Sequence, residues 1–319
     1  MSPVAVTELE LLADDAWDAA LESAGSPYRF SHRAAAGRAF DTAYAEYAFE
    51  PRRVAFDDGA RALFPLVRVR RRLAAMTMLL GMPLGLEGTP IALTGSLGPE
   101  HVRALFEELD ACGSLTLHGG AGGSPPRESD DGEQLTTHVL DLRPGFDAVW
   151  TGSFTSKNRN MVRKAEKNGL QIARATSQDR ADDYYDIYAA ASERWGYDAP
   201  PYPRALFRAL LASGHAELWL AHDEEGPVSG ALLLAGSEDL LYWSGATVPG
   251  KQALAPSNAL LSEAIRDACA RGVGWLDFGA SVGLPGVEKF KQSFGAQARE
   301  YGDAEVRSRR FRLLEGLSH

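Results

Sequence analysis

The chain has 319 residues, 45% hydrophobic and 24% charged, which suits a globular protein of one to three domains, with two the expected split, and excludes a disordered chain, a collagen and a coiled-coil fibre. Lys and Arg number 33 against 43 Asp and Glu, a formal net charge of −10, so a generally basic nucleic-acid coat is excluded. No apolar run approaches the length of a membrane-spanning helix, the opening residues lack a secretory pattern, and Cys112 and Cys269 stand apart in no metal-like spacing; a reducing cytoplasm is the expected setting.

The first half reads as helices, then strands, then a helix and a strand. Residues 53–56 and 62–69 form a predicted hairpin around Asp57-Asp58-Gly59, and residues 73–80 are a third apolar run. Over 99–112 the residues Val102, Leu105, Phe106 and Leu109 share one helical face, and 115–117 is strand-like. Residues 119–134, rich in Gly, Pro, Ser and acid, are the strongest loop signal in the chain. A strand over 135–142 follows, and the domain boundary is placed near 145.

The second half opens with a polar, basic helix over 155–168, closed by Gly169. Then come a strand at 170–174, helices at 180–195 and 203–212, and three successive strands at 216–222, 228–234 and 240–245. A long amphipathic helix spans 257–271, followed by a strand at 275–278, a short helix at 287–294 and a last strand at 298–301. An antiparallel meander followed by helix, strand, helix and strand predicts an α+β fold with a mixed sheet, not a doubly wound parallel one.

Four stretches resemble one family: KNRNMVRKAEKNGL at 157–170, the strand pair LWLAH and GALLL, LYWSGA at 241–246, and LDFGAS followed by FKQSFGA at 276–281 and 290–296. Across residues 155–300 the chain resembles the FemAB-like branch of the GNAT acyltransferase superfamily. That resemblance implies two tandem GNAT-like domains, 1–145 a degenerate copy and 146–319 the copy carrying the site, each a mixed, mostly antiparallel sheet flanked by helices. It also implies amide-bond formation: an acyl group passes to an amine, the donor being aminoacyl-tRNA or an acyl-CoA, with no tightly bound cofactor. The sequence bears on the donor. Acetyl-CoA users cradle a pyrophosphate on a glycine-rich loop at a helix N-terminus. The matching segment here, VPGKQALAPSNALL at 248–261, places Leu254, Ala255 and Pro256 where glycines would sit. Side chains obstruct close backbone approach and Pro256 lacks an N–H, which favours aminoacyl-tRNA, although Gly250, Ser257 and Asn258 could still form an anion nest.

Amine attack on an ester or thioester passes through an oxyanion that needs an aimed donor, worth about 3–4 kcal/mol in the transition state. Lys291 matches the family lysine at that position, with Phe290, Phe294 and Gly295 in register; the plainer alternative is a solvated lysine on a short helix. Asp277, at the end of an apolar strand, would shape the same pocket or take the amine proton; alternatively it is a cap or the ion-pair partner of Lys289 or Lys291. Tyr242 and Trp243 alternate on one strand, so one faces the core and one could line the cleft, Tyr242 matching a family tyrosine near substrate. On the basic helix Lys157, Arg159, Arg163, Lys164 and Lys167 form a patch, with 159, 163 and 167 in one stripe. Lys157, Arg159 and Arg163 would meet phosphates of a tRNA or of a nucleotide-linked acceptor, or else are a solvated face. A second cluster, Arg68, Arg70, Arg71 and Arg72, reads as an edge or solvent face.

Two motifs are set aside. Gly279-Ala280-Ser281-Val282-Gly283 has the form of a serine nucleophile elbow, but His319 alone follows Ser281 as a possible triad histidine, so Ser281 is expected to cap or to hydrogen-bond near substrate. Gly119–Gly123 resembles a phosphate loop but lacks the following Lys-Ser/Thr. The seven histidines show no metal spacing. The rivals to aminoacyl transfer are thus an acyl-CoA-dependent N-acyltransferase, a non-catalytic phosphate or RNA binder and, least favoured, a serine hydrolase.

Overall fold

The computed structural model describes residues 4–70, 77–83, 85–109, 113–127, 134–175, 180–281, 284–309 and 311. Arg71, Arg72, Cys112, Val282, Gly283, His319 and part of the 119–134 loop lie outside them. Two compact units emerge: Met1–Leu135 with Glu300–His319, and Thr136–Arg299. The division therefore falls about ten residues before the expected one near 145, and residues 304–307 pair in the first unit's sheet. The cause is strand pairing. The predicted strand at 135–142 hydrogen-bonds in the second unit's sheet, so it opens that unit and does not close the first.

The first unit is a seven-stranded mixed sheet with helices α1 (Asp14–Ser23), α2 (Ala34–Ala43) and α3 (Pro99–Glu108). Its strands are β1 (Val6–Leu11), β2 (Tyr47–Phe56), β3 (Arg61–Arg70), β4 (Thr77–Leu80), β5 (Ile91–Thr94), β6 (Ser114–Leu117) and β14 (Ala304–Arg307). They run in the order β1-β2-β3-β4-β6-β14, with β5 also on β3. The predicted hairpin is present but longer, because β2 pairs with β3 from Tyr47↔Val69 to Ala55↔Arg61 and sets Pro51 opposite Pro65. A proline reads as a strand breaker in sequence, which hides the first half of β2. In α3, Val102, Leu105 and Phe106 are buried as their spacing predicts. They pack on Phe64, Leu66, Leu79 and Leu115, each such burial contributing about 1.5–3 kcal/mol.

The second unit holds β7 (Leu135–Asp141), α4 (Phe146–Ala148), α5 (Ser156–Lys167), β8 (Gln171–Arg174), α6 (Arg180–Arg194), α7 (Arg204–Ala212), β9 (Ala216–Asp223), β10 (Gly226–Ala235), β11 (Asp239–Thr247), α8 (Pro256–Ala270), β12 (Trp275–Ala280), α9 (Pro285–Ser293) and β13 (Gln297–Tyr301). The sheet order is β13-β7-β12-β11-β10-β9-β8. Strands β8 to β11 form the expected antiparallel meander. The α8 crossover then lays β12 parallel to β11, and β7 pairs antiparallel on its far side. Helix α8 buries Leu260, Leu261, Ala264, Ile265 and Ala268 against the sheet, with Phe278 and Phe294 in the same core. The α5 helix starts where Thr155 Oγ1 accepts from the Asn158 N–H at 3.2 Å, an N-cap. Among the described residues no helix is long and apolar enough to cross a membrane.

Candidate active site

The parallel pairing of β11 with β12 lasts three residues, from Asp239↔Trp275 to Leu241↔Asp277. Beyond it β11 continues to Thr247 and β12 to Ala280 without pairing to each other. A split between parallel strands exposes backbone groups and side chains at their carboxyl ends, a favoured place for ligands. Residues 241–245 of β11 are accordingly half-buried within an otherwise buried strand.

The local fold keeps the split open. Leu232 pairs with Ser244 but Leu233 with Tyr242, so Trp243 is the extra residue of a bulge. The Tyr184 hydroxyl on α6 meets Ser244 Oγ at 2.6 Å and pins that bulge. Trp243 stacks on Tyr202 and Phe207 at 4.8 and 5.5 Å. Tyr242 instead packs edge-on to Phe278 at 6.1 Å and joins the core. The two aromatics thus pack in different surroundings, Tyr242 on the core and Trp243 against Tyr202 and Phe207. Burial pushes the Tyr242 hydroxyl up to about 12, so at neutral pH it is a proton donor, not an anion. That hydroxyl sits where a side chain at Gly245 would be, so only glycine fits there.

Asp277 is the last residue of β12 paired to β11 and is 8% exposed. Its Oδ1 accepts from Thr137 Oγ1 at 2.6 Å and from the Gly279 N–H at 2.8 Å. Gly279 takes φ +69°, a left-handed turn that swings the end of β12 toward α9. There Lys291 waits. It is 2% exposed, and its ammonium donates to the carbonyls of Gly279 at 2.6 Å and Ala280 at 2.7 Å. Burial lowers it from 10.5 to about 8, while the Asp277 charge pulls the other way. The solvated-lysine alternative is thereby excluded, and the Asp277 charge favours the protonated form of Lys291. Phe290, half-buried, packs edge-on to Phe294 at 5.2 Å and seats this helix in the core.

The remaining expected residues scatter. Ser257 Oγ lies 2.9 Å from Thr247 Oγ1 and 3.4 Å from Ser229 Oγ, and Asn258 Nδ2 donates to Asn158 Oδ1 at 2.7 Å. Both side chains therefore fasten the first turn of α8 to β10, β11 and α5. Ahead of them Ala255 takes φ +58°, the one non-glycine positive φ among the described residues. The left-handed turn that a glycine would supply is thus made with an alanine. Arg159 corrects an expectation. Its guanidinium donates to the carbonyls of Trp150 at 3.1 Å, Thr151 at 3.4 Å and Phe154, so it closes the π-helical turn at 149–153 and is committed before any phosphate arrives. Arg163 reaches Asn160 Oδ1 at 3.2 Å and lies over the Trp150 ring at 5.8 Å. It is exposed, as is Lys157. Ser281 Oγ is buried without a hydrogen-bond partner among the described residues, so no described histidine bonds to it, and His319 lies outside them.

One residue escaped the sequence reading. His138, on β7 beside Asp277, is 1% exposed, and neither ring nitrogen has a hydrogen-bond partner among the described residues. Burial and the Lys291 charge hold its imidazole below the ordinary value, so it is neutral at pH 7. A histidine inside the apolar stretch LTTHVLD is the signal that was there to find. Among the described residues no cluster of three His, Cys, Asp or Glu side chains suits a metal.

Comparison with known proteins places this geometry. The acetyltransferase (GNAT) domain family profile matches residues 152–292. No curated protein sequence matches the chain significantly. Among solved structures, FemX aligns over 98% of this chain and 99% of its own at TM-score 0.69 and 16% identity. L-PGS from Bacillus licheniformis aligns over 97% and 96% at TM-score 0.56 and 14% identity. A tandem GNAT protein of the clavulanic acid biosynthesis pathway aligns over 94% and 98% at TM-score 0.54 and 13% identity. The profile match assigns residues 152–292 to the acetyltransferase (GNAT) domain family, and the chain shares its fold with FemX and with a tandem GNAT protein.

Proposed function

We propose that this acyltransferase moves an aminoacyl group from aminoacyl-tRNA to an amine, as on a peptidoglycan precursor or a small natural product. The observation that carries the reading is Lys291: an ammonium removed from water and anchored to the end of β12, beside the strand split. A charge held in a dry site acts strongly on a developing oxyanion and needs no reorganisation as the reaction proceeds. With its value near 8, Lys291 keeps its proton at pH 7. Asp277 holds that charge in place. Lys157 and Arg163, exposed on α5, offer cations to phosphates of donor or acceptor, and Tyr242, Trp243 and Ser281 border the acyl path. The setting proposed is the cytoplasm, where charged tRNA is found.

The donor assignment rests on the loop before α8. Pro256 opens that helix and has no N–H, Ala255 fills the left-handed turn with a methyl group, and the Ser257 and Asn258 side chains are engaged. A pyrophosphate needs close, open amides. An acyl-CoA donor is the second reading, favoured by the name of the matched profile and by Gly250, whose left-handed φ of +90° turns the backbone at the loop's start. The test is a panel of charged tRNAs and acyl-CoAs with pooled amines, read by mass spectrometry. Amide products from charged tRNA alone support the first reading, and products from acyl-CoA alone replace it. Turnover undiminished in Lys291→Met would overturn the role of the lysine.

A further inference from the structure

Buried polar atoms in folded proteins are nearly always paired, and an unpaired one marks a place where a partner arrives later. The second unit has two such side chains at one end of one strand pair. Ala280 pairs with Thr137, so Ser281 and His138 each neighbour that last rung. Ser281 Oγ and both His138 ring nitrogens are buried and unbonded among the described residues. Asp277 and Lys291 flank the same rung, through Thr137 Oγ1 and the Ala280 carbonyl. On the outer side, His138 Nε2 stands 3.9 Å from Glu288 Oε1, a carboxylate whose side chain is 48% exposed. An imidazole unbonded among the described residues therefore feels the Lys291 charge and stands 3.9 Å from a carboxylate in contact with water.

We propose that His138 receives the proton lost by the attacking amine and passes it through Glu288 to solvent, an inference that rests on the acyl-transfer reading. The amine nitrogen forms its bond to the acyl carbon, and the carbon's bond to the carrier oxygen or sulfur breaks. The nitrogen sheds one proton to a His138 ring nitrogen. The other ring nitrogen gives one to Glu288, which yields it to water. The carrier leaves as an anion and takes a proton back from water, so charge and atoms balance. Lys291 cannot fill this role, because its proton is needed on the oxyanion and two of its N–H groups are held by carbonyls. The imidazole is neutral at pH 7 and so ready to accept. The charged groups around it are Lys291 and Glu288 from α9 and Asp277 from β12; on β13, Arg299 lies over the Trp275 ring at 4.9 Å.

The test has two arms. The first uses the protein without substrate, its histidines carbon-13 labelled, with the His138 signal assigned by its loss in His138→Gln. The expected signal titrates reversibly with a midpoint under the ordinary 6.5, which rises in Lys291→Met and falls in Glu288→Gln. A signal fixed in one state across the accessible pH range, or indifferent to both substitutions, overturns the proposal. The second arm uses the donor and amine found by the panel above. His138→Gln is expected to lower kcat by about a hundredfold or more at little change in KM and to abolish the acid limb of the pH profile. Glu288→Gln, on the surface and safe for folding, should lower kcat less and steepen the dependence on buffer concentration. Unchanged kcat and pH profile in both variants overturn the proposal. If no donor reacts, the acyl-transfer reading fails, and the first arm still decides whether His138 exchanges protons.

Discussion

Replacing Lys291 with methionine keeps an unbranched side chain one atom shorter and removes its charge. An unfolded lysine holds its proton to 10.5, whereas the buried one releases it near 8. At about 1.4 kcal/mol per pH unit, that gap means the charged form costs the folded state about 3 kcal/mol. The sign follows from the direction: below pH 8 both states are protonated and the cost is fully present, and between 8 and 10.5 it fades as the folded protein sheds the proton first. Lys291→Met removes that cost but leaves the Gly279 and Ala280 carbonyls without their donor, a loss of about 1–3 kcal/mol. Stability at pH 7 should therefore stay within about 2 kcal/mol of wild type. The variant's stability relative to wild type should then fall by about 3 kcal/mol as pH rises through that window. Turnover should drop by about a hundred- to a thousandfold, the effect of losing one oxyanion donor. Urea unfolding at several pH values reads the first effect and amide-forming turnover the second. A stability difference independent of pH, or turnover within about threefold of wild type, would refute the reasoning about a charged, buried lysine.

Asp277→Asn removes the charge that supports the Lys291 ammonium, so the alkaline fall in activity should begin at lower pH than in wild type; a pH–rate profile checks it. Ala255→Gly relieves a left-handed alanine worth about 1 kcal/mol of strain and gives up a buried methyl of similar size, so unfolding should show stability equal to wild type or slightly higher. Arg159→Met should cost about 1–3 kcal/mol in thermal or urea unfolding, since carbonyls of the π-helical turn lose their donor. The same substitution at Arg163, exposed, bonded to Asn160 Oδ1 and lying over the Trp150 ring, should leave stability nearly unchanged and weaken a phosphate-bearing substrate, read as a higher KM.

The amino-acid sequence by itself determined the order of elements in the second unit. The strands at 216–247 carry strong period-two and apolar patterns, and α8 and α5 have clear periodicity and end signals, so local chemistry and tertiary packing agree there. The resemblance of LDFGAS and FKQSFGA to the FemAB-like family, not spacing alone, drew attention to Lys291 and Asp277. The sequence did not reveal Pro51 and Pro65 facing each other in a pairing of two ten-residue strands, because a ladder's tolerance of proline depends on which groups face a partner. Only the tertiary structure decided three matters. Strand β7 joined the second sheet, because pairing is a long-range choice. Arg159 went to carbonyls while Arg163 stayed in water, because equal spacing on a helix says nothing of what lies across from it. Lys291 became a buried ammonium and His138 an unpaired imidazole, because desolvation is a property of the packed neighbourhood, and no residue carries its neighbourhood in its own name.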